Sequence, residues 1–258
     1  MVFYFSGTGN SRFVAFELAK MLELEAFDIA NYYELYSSGQ CINVSLPKGE
    51  TLVFVSPVHS WGMSLPMKQF VKNLELKDFT GQKVIAVFTC GDTCGRAREQ
   101  IVNLLKKKNI GVSNVYCVQM PNTYIVLKGF GIDSEELKNK KLRAAKPEIE
   151  RIVADIKTDC KLDNYIVGTK PFLKGAILYP LFMKFMLGDK KFFTDENCIS
   201  CGLCEKVCPQ KNIILNDGHP KWLGRCVKCL SCIHRCPKLA IQFGDITQSQ
   251  GRYYFGKQ

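Results

Sequence analysis

The sequence predicts an N-terminal α/β domain with a doubly wound five-stranded parallel sheet, followed by a small α+β domain rich in cysteine. In residues 1–159, short apolar, β-branched runs alternate with helical patterns, as in parallel sheets covered on both faces. Eight of the thirteen cysteines lie in two dense runs in the last quarter of the chain. A chain of 258 residues is long enough for both domains.

The elements of the α/β domain follow in a regular order. Residues 2–5 are predicted to form the first strand, and a glycine-containing loop leads from it to a helix that starts at Asn10. Ligands of doubly wound sheets bind beyond the carboxyl ends of the strands, so the loops after strands one, three and four are the first candidates for a site. The other strands are predicted at 24–29, 51–56, 83–89 and 112–119, and the other helices at about 65–74, 95–109 and 133–158.

The pattern changes after residue 159. Residues 160–191 are predicted to be an apolar and basic connector, because prolines and lysines interrupt its apolar run and leave it too short to span a bilayer. Two interpretations stay open, packing between the domains or an amphipathic anchor at a membrane surface. Residues 192–246 then form the cysteine-rich domain, and residues 247–258 form a tail that we expect to be loose.

The net charge and the use of cysteine bear on which partners the protein has and on the redox compartment in which it works. The formal net charge is +11, yet no block of five or more like charges occurs, which favours a diffuse solvated surface over a dedicated site for a charged partner, and no nucleic-acid partner is expected. An acidic partner protein and an anionic membrane surface are compatible with this charge. No export signal is recognisable at the start of the sequence, so we expect a reducing cytoplasm in which clustered cysteines bind metal.

The two cysteine runs are the strongest signal. The run from Cys198 reads C-x2-C-x2-C-x3-C-P, and the same pattern recurs from Cys226. Thiolates are soft ligands suited to iron–sulfur clusters. Structural zinc is the alternative, but it uses separated pairs of ligands rather than four closely spaced cysteines. His219 and Trp222 are expected in a turn between the two halves, and His234 on the surface.

This region resembles the bacterial two-cluster ferredoxins throughout. In that family, the fourth cysteine of each run ligates the other cluster. The resemblance therefore implies two [4Fe–4S] clusters, each with three ligands from one run and one ligand from the other. One set is Cys198, Cys201, Cys204 and Cys236, and the other is Cys226, Cys229, Cys232 and Cys208.

The loop after the first strand is a second candidate. Backbone amides, hydroxyls and an amide side chain at the start of a helix form a site for a phosphate. The loop holds no lysine or arginine, which argues against a nucleoside triphosphate site. Its residues are Ser6, Gly7, Thr8, Gly9, Asn10 and Ser11.

All three candidate loops resemble the flavin loops of flavodoxins. The first is similar to the flavodoxin phosphate loop, the second to a loop whose tryptophan stacks on the flavin, and the third to a loop that holds the ring edge. The resemblance implies a flavodoxin-like fold and FMN as cofactor. The further binding residues that it implies are Pro57, His59, Ser60, Trp61 and Gly62 after strand three, and Thr89, Cys90, Gly91, Asp92 and Gly95 after strand four.

Two departures concern the surroundings of the flavin. Met63 stands where flavodoxins often have an acidic residue, and Gly95 stands where they have a second stacking tyrosine. Because a glycine cannot cover a ring, two interpretations stay open: aromatic residues of the connector cover the open side, where electrons would cross to a cluster, or the open side is an exposed site for a substrate or partner. The aromatic candidates are Phe172, Tyr179, Phe182 and Phe185.

The order of the two parts resembles a family of flavodoxin–ferredoxin fusion proteins of anaerobic microbes. The resemblance implies an electron-transfer protein that passes single electrons between two [4Fe–4S] clusters and FMN. A flavin-dependent reductase of a small molecule, fed through the clusters, and a redox sensor are the alternatives. Cys90 and Cys94 are either redox-active thiols beside the flavin or small fillers, and the filler is favoured because C-x3-C is not the spacing of dithiol oxidoreductases.

Overall fold

The computed structural model describes residues 1–160 and 164–256, so parts of the predicted connector and tail lie outside the described residues. The strands of the N-terminal part are β1 (Val2–Tyr4), β2 (Ala26–Asp28), β3 (Ile42–Ser45), β4 (Leu52–His59), β5 (Gly62–Met63), β6 (Leu74–Lys77), β7 (Val84–Cys90) and β8 (Asn114–Gln119). The helices are α1 (Asn10–Leu22), α2 (Tyr33–Ser37), α3 (Leu65–Asn73), α4 (Ala97–Lys106) and α5 (Glu135–Lys157).

Five parallel strands form the main path of the central sheet, in the order β2-β1-β4-β7-β8. Numbered along the sheet's own strands, this is the order 2-1-3-4-5 of the flavodoxin-like doubly wound fold. The short β5 pairs antiparallel with the end of β4. The predicted fold class is confirmed.

Two apolar layers cover the sheet. Successive residues of a strand point to opposite faces, so Phe3 packs on one side of β1 and Val2 on the other. The layer that contains Phe3 is closed by α2, α3 and α4, and the layer that contains Val2 is closed by α1 and α5. This burial of both faces explains why the strands read as continuous apolar runs in the sequence.

One pair of strands has no counterpart in the prediction. The short strands β3 and β6 pair in parallel beside the main sheet. β6 begins at the residue directly after α3, so no glycine or proline marks the boundary. Short strands without such a boundary carry too little periodicity to be separated from the helix before them.

The connector is largely helical. A continuous helical run over residues 171–186 is here called the connector helix. After its first two residues it comprises a π-helical segment (Leu173–Leu178), a short α-helix, α6 (Tyr179–Leu181), and a second π-helical segment (Phe182–Met186). Within the described residues, no helix has both the length and the apolar character needed to cross a membrane.

The C-terminal domain consists of short elements arranged around the cysteines. They are β9 (Phe192–Thr194), α7 (Leu203–Lys206), β10 (Ile213–Asn216), β11 (His219–Trp222), α8 (Ser231–Arg235) and β12 (Ile241–Phe243). β12 pairs antiparallel with β9, and β10 and β11 form a hairpin. The hairpin contains His219 and Trp222, which were expected in a turn, and His234 is buried rather than at the surface.

The tail is ordered against the rest of the molecule. Phe255 forms a hydrogen bond to Thr8 in the loop after β1, and Tyr253 forms one to Asn10 at the start of α1. The expectation of a loose tail is therefore wrong for its described part. Polar composition suggested exposure, but the aromatic side chains of the tail supply the contacts.

Candidate functional site

The eight clustered cysteines line two cavities. One cavity is lined by Cys198, Cys201, Cys204 and Cys236, here called the outer set. The other is lined by Cys208, Cys226, Cys229 and Cys232, here called the inner set. Each cavity thus receives three cysteines from one run and one from the other, the arrangement that the resemblance to two-cluster ferredoxins implies. Four thiols around one cavity form a donor set that fits a [4Fe–4S] cluster.

The sequence repeat is also a repeat of backbone conformation. Ser200 and Lys228 both have positive φ, and so do Gly202 and Leu230, the N-cap residues of α7 and α8. The members of each pair stand at equivalent positions of the two cysteine runs. Positive φ is rare in residues other than glycine. Its recurrence at equivalent positions therefore indicates that the backbones of the two cysteine loops follow the same path.

Backbone amides point at the sulfurs in the same repeating way. The amide of Asn212 lies 3.3 Å from Cys208 Sγ, and the amide of Ala240 lies 3.3 Å from Cys236 Sγ. Hydrogen bonds to the sulfurs are one of the means by which a protein adjusts cluster potentials. Burial raises the pKa of the Cys226 thiol to about 11, so a cluster held by the inner set would require this thiol to give up its proton.

The two sets differ in their surroundings. Cys201 of the outer set is exposed, and Ile199 beside it is 54% exposed. In the inner set Cys232 is buried, and the neighbouring Val227 belongs to the apolar core of the flavodoxin-like domain. The outer set therefore lies near solvent, whereas the inner set lies against the N-terminal domain.

The predicted phosphate loop touches the inner set directly. A Cβ atom built on Gly7 would lie 2.2 Å from the carbonyl oxygen of Cys229, so only glycine permits this approach. Gly9 is the N-cap of α1, with φ of 93°. The hydroxyl of Ser11 lies 2.7 Å from that of Thr89, which brings together the loops after β1 and β7.

The tail covers this loop. The amide of Phe255 donates to the carbonyl of Thr8 at 2.9 Å, and a Cβ on Gly9 would lie 2.6 Å from the Phe255 carbonyl oxygen. Tyr253 donates its hydroxyl to the side chain of Asn10 at 3.0 Å. The aromatic rings of Phe13 and Phe255 lie 4.5 Å apart.

The second candidate loop, after β4, is in contact with the connector helix. Tyr179 donates its hydroxyl to the carbonyl of Met63 at 2.8 Å, and its ring lies against Gly62. The ammonium group of Lys174 lies 5.1 Å from the centre of the Trp61 ring. Of the four connector aromatics, Tyr179 and Phe182 are buried, whereas Phe172 and Phe185 are 70% and 68% exposed.

The second and third loops also touch each other. A Cβ on Gly95 would lie 2.4 Å from the carbonyl oxygen of Trp61, and Arg96 donates its amide to that oxygen. The carbonyl of Asp92 accepts a hydrogen bond from Gln119, and Gly91 packs beside Asn122. The remaining predicted residues lie on or near the end of β4, where Ser60 has positive φ and Pro57 and His59 are half-buried.

The three loops thus meet at one edge of the sheet, but they are closed. Phe255 and Cys229 cover the glycines of the phosphate loop, and Tyr179 and Gly95 occupy the space around Trp61 and Gly62. Phe255 lies against Gly9 of the phosphate loop and the Tyr179 ring lies against Gly62, so both loops are covered in this conformation. The assignment of these residues to FMN stays a prediction.

Sequence reasoning missed three features of this region. Tyr253 and Phe255 lay in a tail expected to be loose, and their aromatic character was the available signal. Ile125 and Val126 pack in the core of the C-terminal domain, although they follow β8. Cys117 lies in contact with Cys90 and Cys94, and only the register of β7 and β8 brings them together.

Comparison with known proteins gives one match to a family model. Residues 197–241 match the 4Fe-4S dicluster domain. No curated protein matches the chain.

Matches to solved structures are at low identity. The Trp repressor binding protein from Bacillus subtilis is 13% identical over 58% of this chain and 99% of its own (TM-score 0.34). The NAD(P)H:quinone oxidoreductase from Methanothermobacter marburgensis is 12% identical over 60% and 95% (TM-score 0.36). An FMN-dependent NADH-azoreductase from Bacillus anthracis str. Ames Ancestor, in complex with FMN, is 10% identical over 59% and 98% (TM-score 0.33).

The order of the central sheet and the match of the cysteine-rich segment lead to one description of the chain. It joins an N-terminal flavodoxin-like fold to a C-terminal domain of the 4Fe-4S dicluster type.

Proposed function

We propose that this protein transfers electrons one at a time, with one [4Fe–4S] cluster held by the outer set of cysteines and one by the inner set. The main support is that two neighbouring cavities are each lined by four cysteines in the crossed pattern. Each cluster, when bound, exchanges a single electron at a potential that the protein adjusts.

The surroundings of the two cysteine sets support a route for the electrons through the molecule. The outer set lies beside exposed residues, where a redox partner protein can approach. The apolar residues Phe192, Ile213 and Leu230 line the cavity of the inner set. Cys229 then contacts Gly7 of the N-terminal domain. We propose that electrons enter or leave at the outer set and cross to the N-terminal domain at the inner set.

We further propose FMN as the redox group of the N-terminal domain. Flavin exchanges one or two electrons, so it would connect the single-electron clusters to a two-electron reaction. The support is the meeting of the three predicted loops at one edge of the sheet, next to Cys229. Because Phe255 and Tyr179 close these loops, this proposal requires the tail and the connector helix to move aside when FMN binds.

Cofactor analysis of anaerobically purified protein tests both proposals. We expect about eight iron and about eight acid-labile sulfide per chain, and reduction should produce two paramagnetic centres. Stoichiometric zinc in place of iron would contradict the cluster proposal. Added FMN should bind with saturation at about one per chain, and protein that holds both clusters but binds no FMN would contradict only the flavin proposal.

A further inference from the structure

Three buried thiols lie together in the core of the N-terminal domain. Cys94 Sγ lies 2.6 Å from Cys117 Sγ, and Cys90 Sγ lies 3.3 Å from Cys117 Sγ. The exposed fractions of Cys94, Cys117 and Cys90 are 0%, 2% and 6%. Cys117 is therefore the central thiol of the three, and Cys90 is the one nearest to solvent.

The fold positions these thiols from three separate segments. Cys117 lies on β8 opposite Phe88 of β7, and Cys90 lies two positions beyond Phe88 on the same face of β7. Cys94 lies in the loop after β7, where its amide donates to the carbonyl of Ile166 at 2.8 Å. The amide of Cys117 likewise donates to the carbonyl of Asn164. The segment that starts at Asn164 thus holds the thiols in place.

The distances distinguish a dithiol from a metal site. Sulfurs that share one tetrahedral zinc ion lie about 3.8 Å apart, given Zn–S bonds of about 2.3 Å. The 2.6 Å between Cys94 and Cys117 is much shorter and approaches the S–S bond of about 2.05 Å. The described residues also bring only three metal-ligating side chains together here, whereas a structural zinc site has four.

We propose that Cys94 and Cys117 are a reversible dithiol–disulfide pair, and that Cys90 is the thiol through which they exchange with a disulfide from outside. Cys90 attacks the external disulfide and releases one thiol, which leaves a mixed disulfide on Cys90. Cys117 attacks the Cys90 sulfur and releases the second external thiol. Cys94 then attacks the Cys117 sulfur and frees Cys90.

The overall exchange is balanced without a metal or another cofactor. Two protein thiols and one external disulfide become one protein disulfide and two external thiols. Each attack needs a thiolate at contact distance from the sulfur it attacks. Hydrogen bonds from the Cys90 and Cys94 thiols lower the pKa of Cys117, whereas the bond to Cys117 raises the pKa of Cys90 and burial raises the pKa of Cys94. The thiolate of the three is therefore at Cys117, which accepts the proton of Cys90 as Cys90 attacks the external disulfide.

Peptide mapping of the intact protein tests this proposal directly. Anaerobic protein is equilibrated with mixtures of oxidised and reduced glutathione, alkylated under denaturing conditions, and digested with trypsin without reduction. Cys90 and Cys94 share the peptide 84–96, and Cys117 lies in the peptide 109–128. We expect these two peptides to become linked as the mixture becomes more oxidising, and to separate again when reduced glutathione is added.

Variants assign the roles of the three thiols. Cys117→Ser should abolish the link, and Cys90→Ser should slow its formation by at least about tenfold but leave the same final yield. Cys41→Ser replaces an exposed cysteine outside the group of three thiols and should change neither the rate nor the yield of the link.

The proposal is overturned if all three thiols of the wild-type protein remain alkylatable at every glutathione ratio. It is equally overturned if about one zinc per chain protects them from alkylation. Because both of these results are read from the wild-type protein, a variant that fails to fold does not leave the question open.

A separate observation concerns the outer face of the connector helix. Phe172, Ile177, Leu181 and Phe185 are 70%, 46%, 47% and 68% exposed. Their spacing of four to five positions places them along one side of a largely π-helical run. Tyr179 and Phe182 on the opposite side are buried. The connector helix therefore exposes large apolar residues to solvent on its outer side.

The charges of this segment favour one kind of occupant. From 170 to 187 the only charged residues are three lysines, and the segment contains no acidic, amide or hydroxyl side chain except Tyr179. An apolar face beside lysines, without directional polar groups, matches a lipid surface with anionic headgroups better than it matches a protein surface. We infer that the connector helix docks the protein on anionic membranes by inserting Phe172 and Phe185.

Vesicle sedimentation of the full chain tests this inference. Most of the protein should sediment with phosphatidylglycerol vesicles at low salt, and little with phosphatidylcholine vesicles. The double variant Phe172→Ser/Phe185→Ser should reduce the bound fraction about tenfold. Phe16→Ser, at a 47% exposed site on α1, should leave it unchanged. The inference would be contradicted if the protein bound neither kind of vesicle, or if Phe16→Ser lost as much binding as the double variant. If the protein bound neither kind of vesicle, an acidic protein would be the next partner to test on this face.

Discussion

At the scale of single residues, one contact between the two domains depends on the absence of a side chain. Gly7 lies against the backbone of Cys229, whose carbonyl oxygen is too near to allow a Cβ atom. The backbone of Cys229 cannot move without moving the inner set of cysteines. The glycine that resembles part of a phosphate loop thus also sets the distance between the domains.

Gly7→Ala should therefore destabilise the protein and disturb the inner cluster. Overpacking of this kind costs about 1–3 kcal/mol, and the paramagnetic signal of the inner cluster should change while that of the outer cluster does not. Denaturant unfolding and electron paramagnetic resonance measure the two effects. Gly111→Ala is the matched control, because a Cβ there meets nothing within 4 Å. Equal behaviour of the two variants would show that the domains do not meet as described.

His59, at the end of β4, makes the stability of the folded protein depend on pH. Burial lowers the pKa of His59 to about 4, from an ordinary value of 6.5. Below pH 6.5 the unfolded chain binds a proton at this residue and the folded chain does not, so stability falls as the pH drops from 6.5 towards 4. The loss amounts to as much as about 2–3 kcal/mol.

His59→Gln should remove this part of the pH dependence. We expect the variant and the wild type to differ in the slope of unfolding free energy against pH between 6.5 and 4, and to have equal slopes above pH 7. Acid damage to the clusters affects both proteins, so the difference between them isolates His59. Parallel curves over the whole range would contradict the assignment.

At the scale of elements, the tail closes the loop between β1 and α1. Its contacts are the hydrogen bond from Phe255 to Thr8 and the ring contact with Phe13. Together such contacts are worth about 1–2 kcal/mol. A ligand of this loop must displace them before it binds.

A chain that ends after Arg252 should consequently bind FMN about tenfold more tightly than the full chain, since about 1.4 kcal/mol corresponds to tenfold in Kd. Quenching of flavin fluorescence measures this difference. A chain that ends after Phe255 keeps these tail contacts and should bind like the full protein. Weaker binding by the shorter chain would indicate that the tail supports the flavin site rather than closing it.

The sequence predicted the elements with strong periodicity and left out those that depend on tertiary contacts. The five sheet strands and the long helices carry enough apolar repeats to be recognised. The strands β3 and β6 are short, and their pairing joins segments that are distant in the chain, with Ile42 opposite Leu74. The resemblance of the cysteine repeat to two-cluster ferredoxins predicted how the eight cysteines divide between the two cavities. The covering of the three candidate loops involves residues from the tail and the connector, which no local pattern indicates.

At the scale of the whole molecule, the two domains interlock. Ile125 and Val126 of the N-terminal part lie in the core of the C-terminal domain, and Val227 of the C-terminal domain lies in the core of the N-terminal domain. Gln210 also donates to the hydroxyl of Tyr36 at 3.1 Å. Such mutual burial holds the inner set at a fixed place beside the flavodoxin-like fold, as the proposed electron transfer between them requires.

The crossed ligand sets are central to the proposed electron transfer, because they define the outer and inner positions. The most direct test compares the iron content and electron paramagnetic resonance spectra of anaerobic Cys208→Ala, Cys226→Ala and Cys198→Ala. We expect Cys208→Ala and Cys226→Ala to lose or alter the same cluster, whereas Cys198→Ala should affect the other one. If Cys208→Ala instead matches Cys198→Ala, each run holds its own cluster and the crossed arrangement is contradicted.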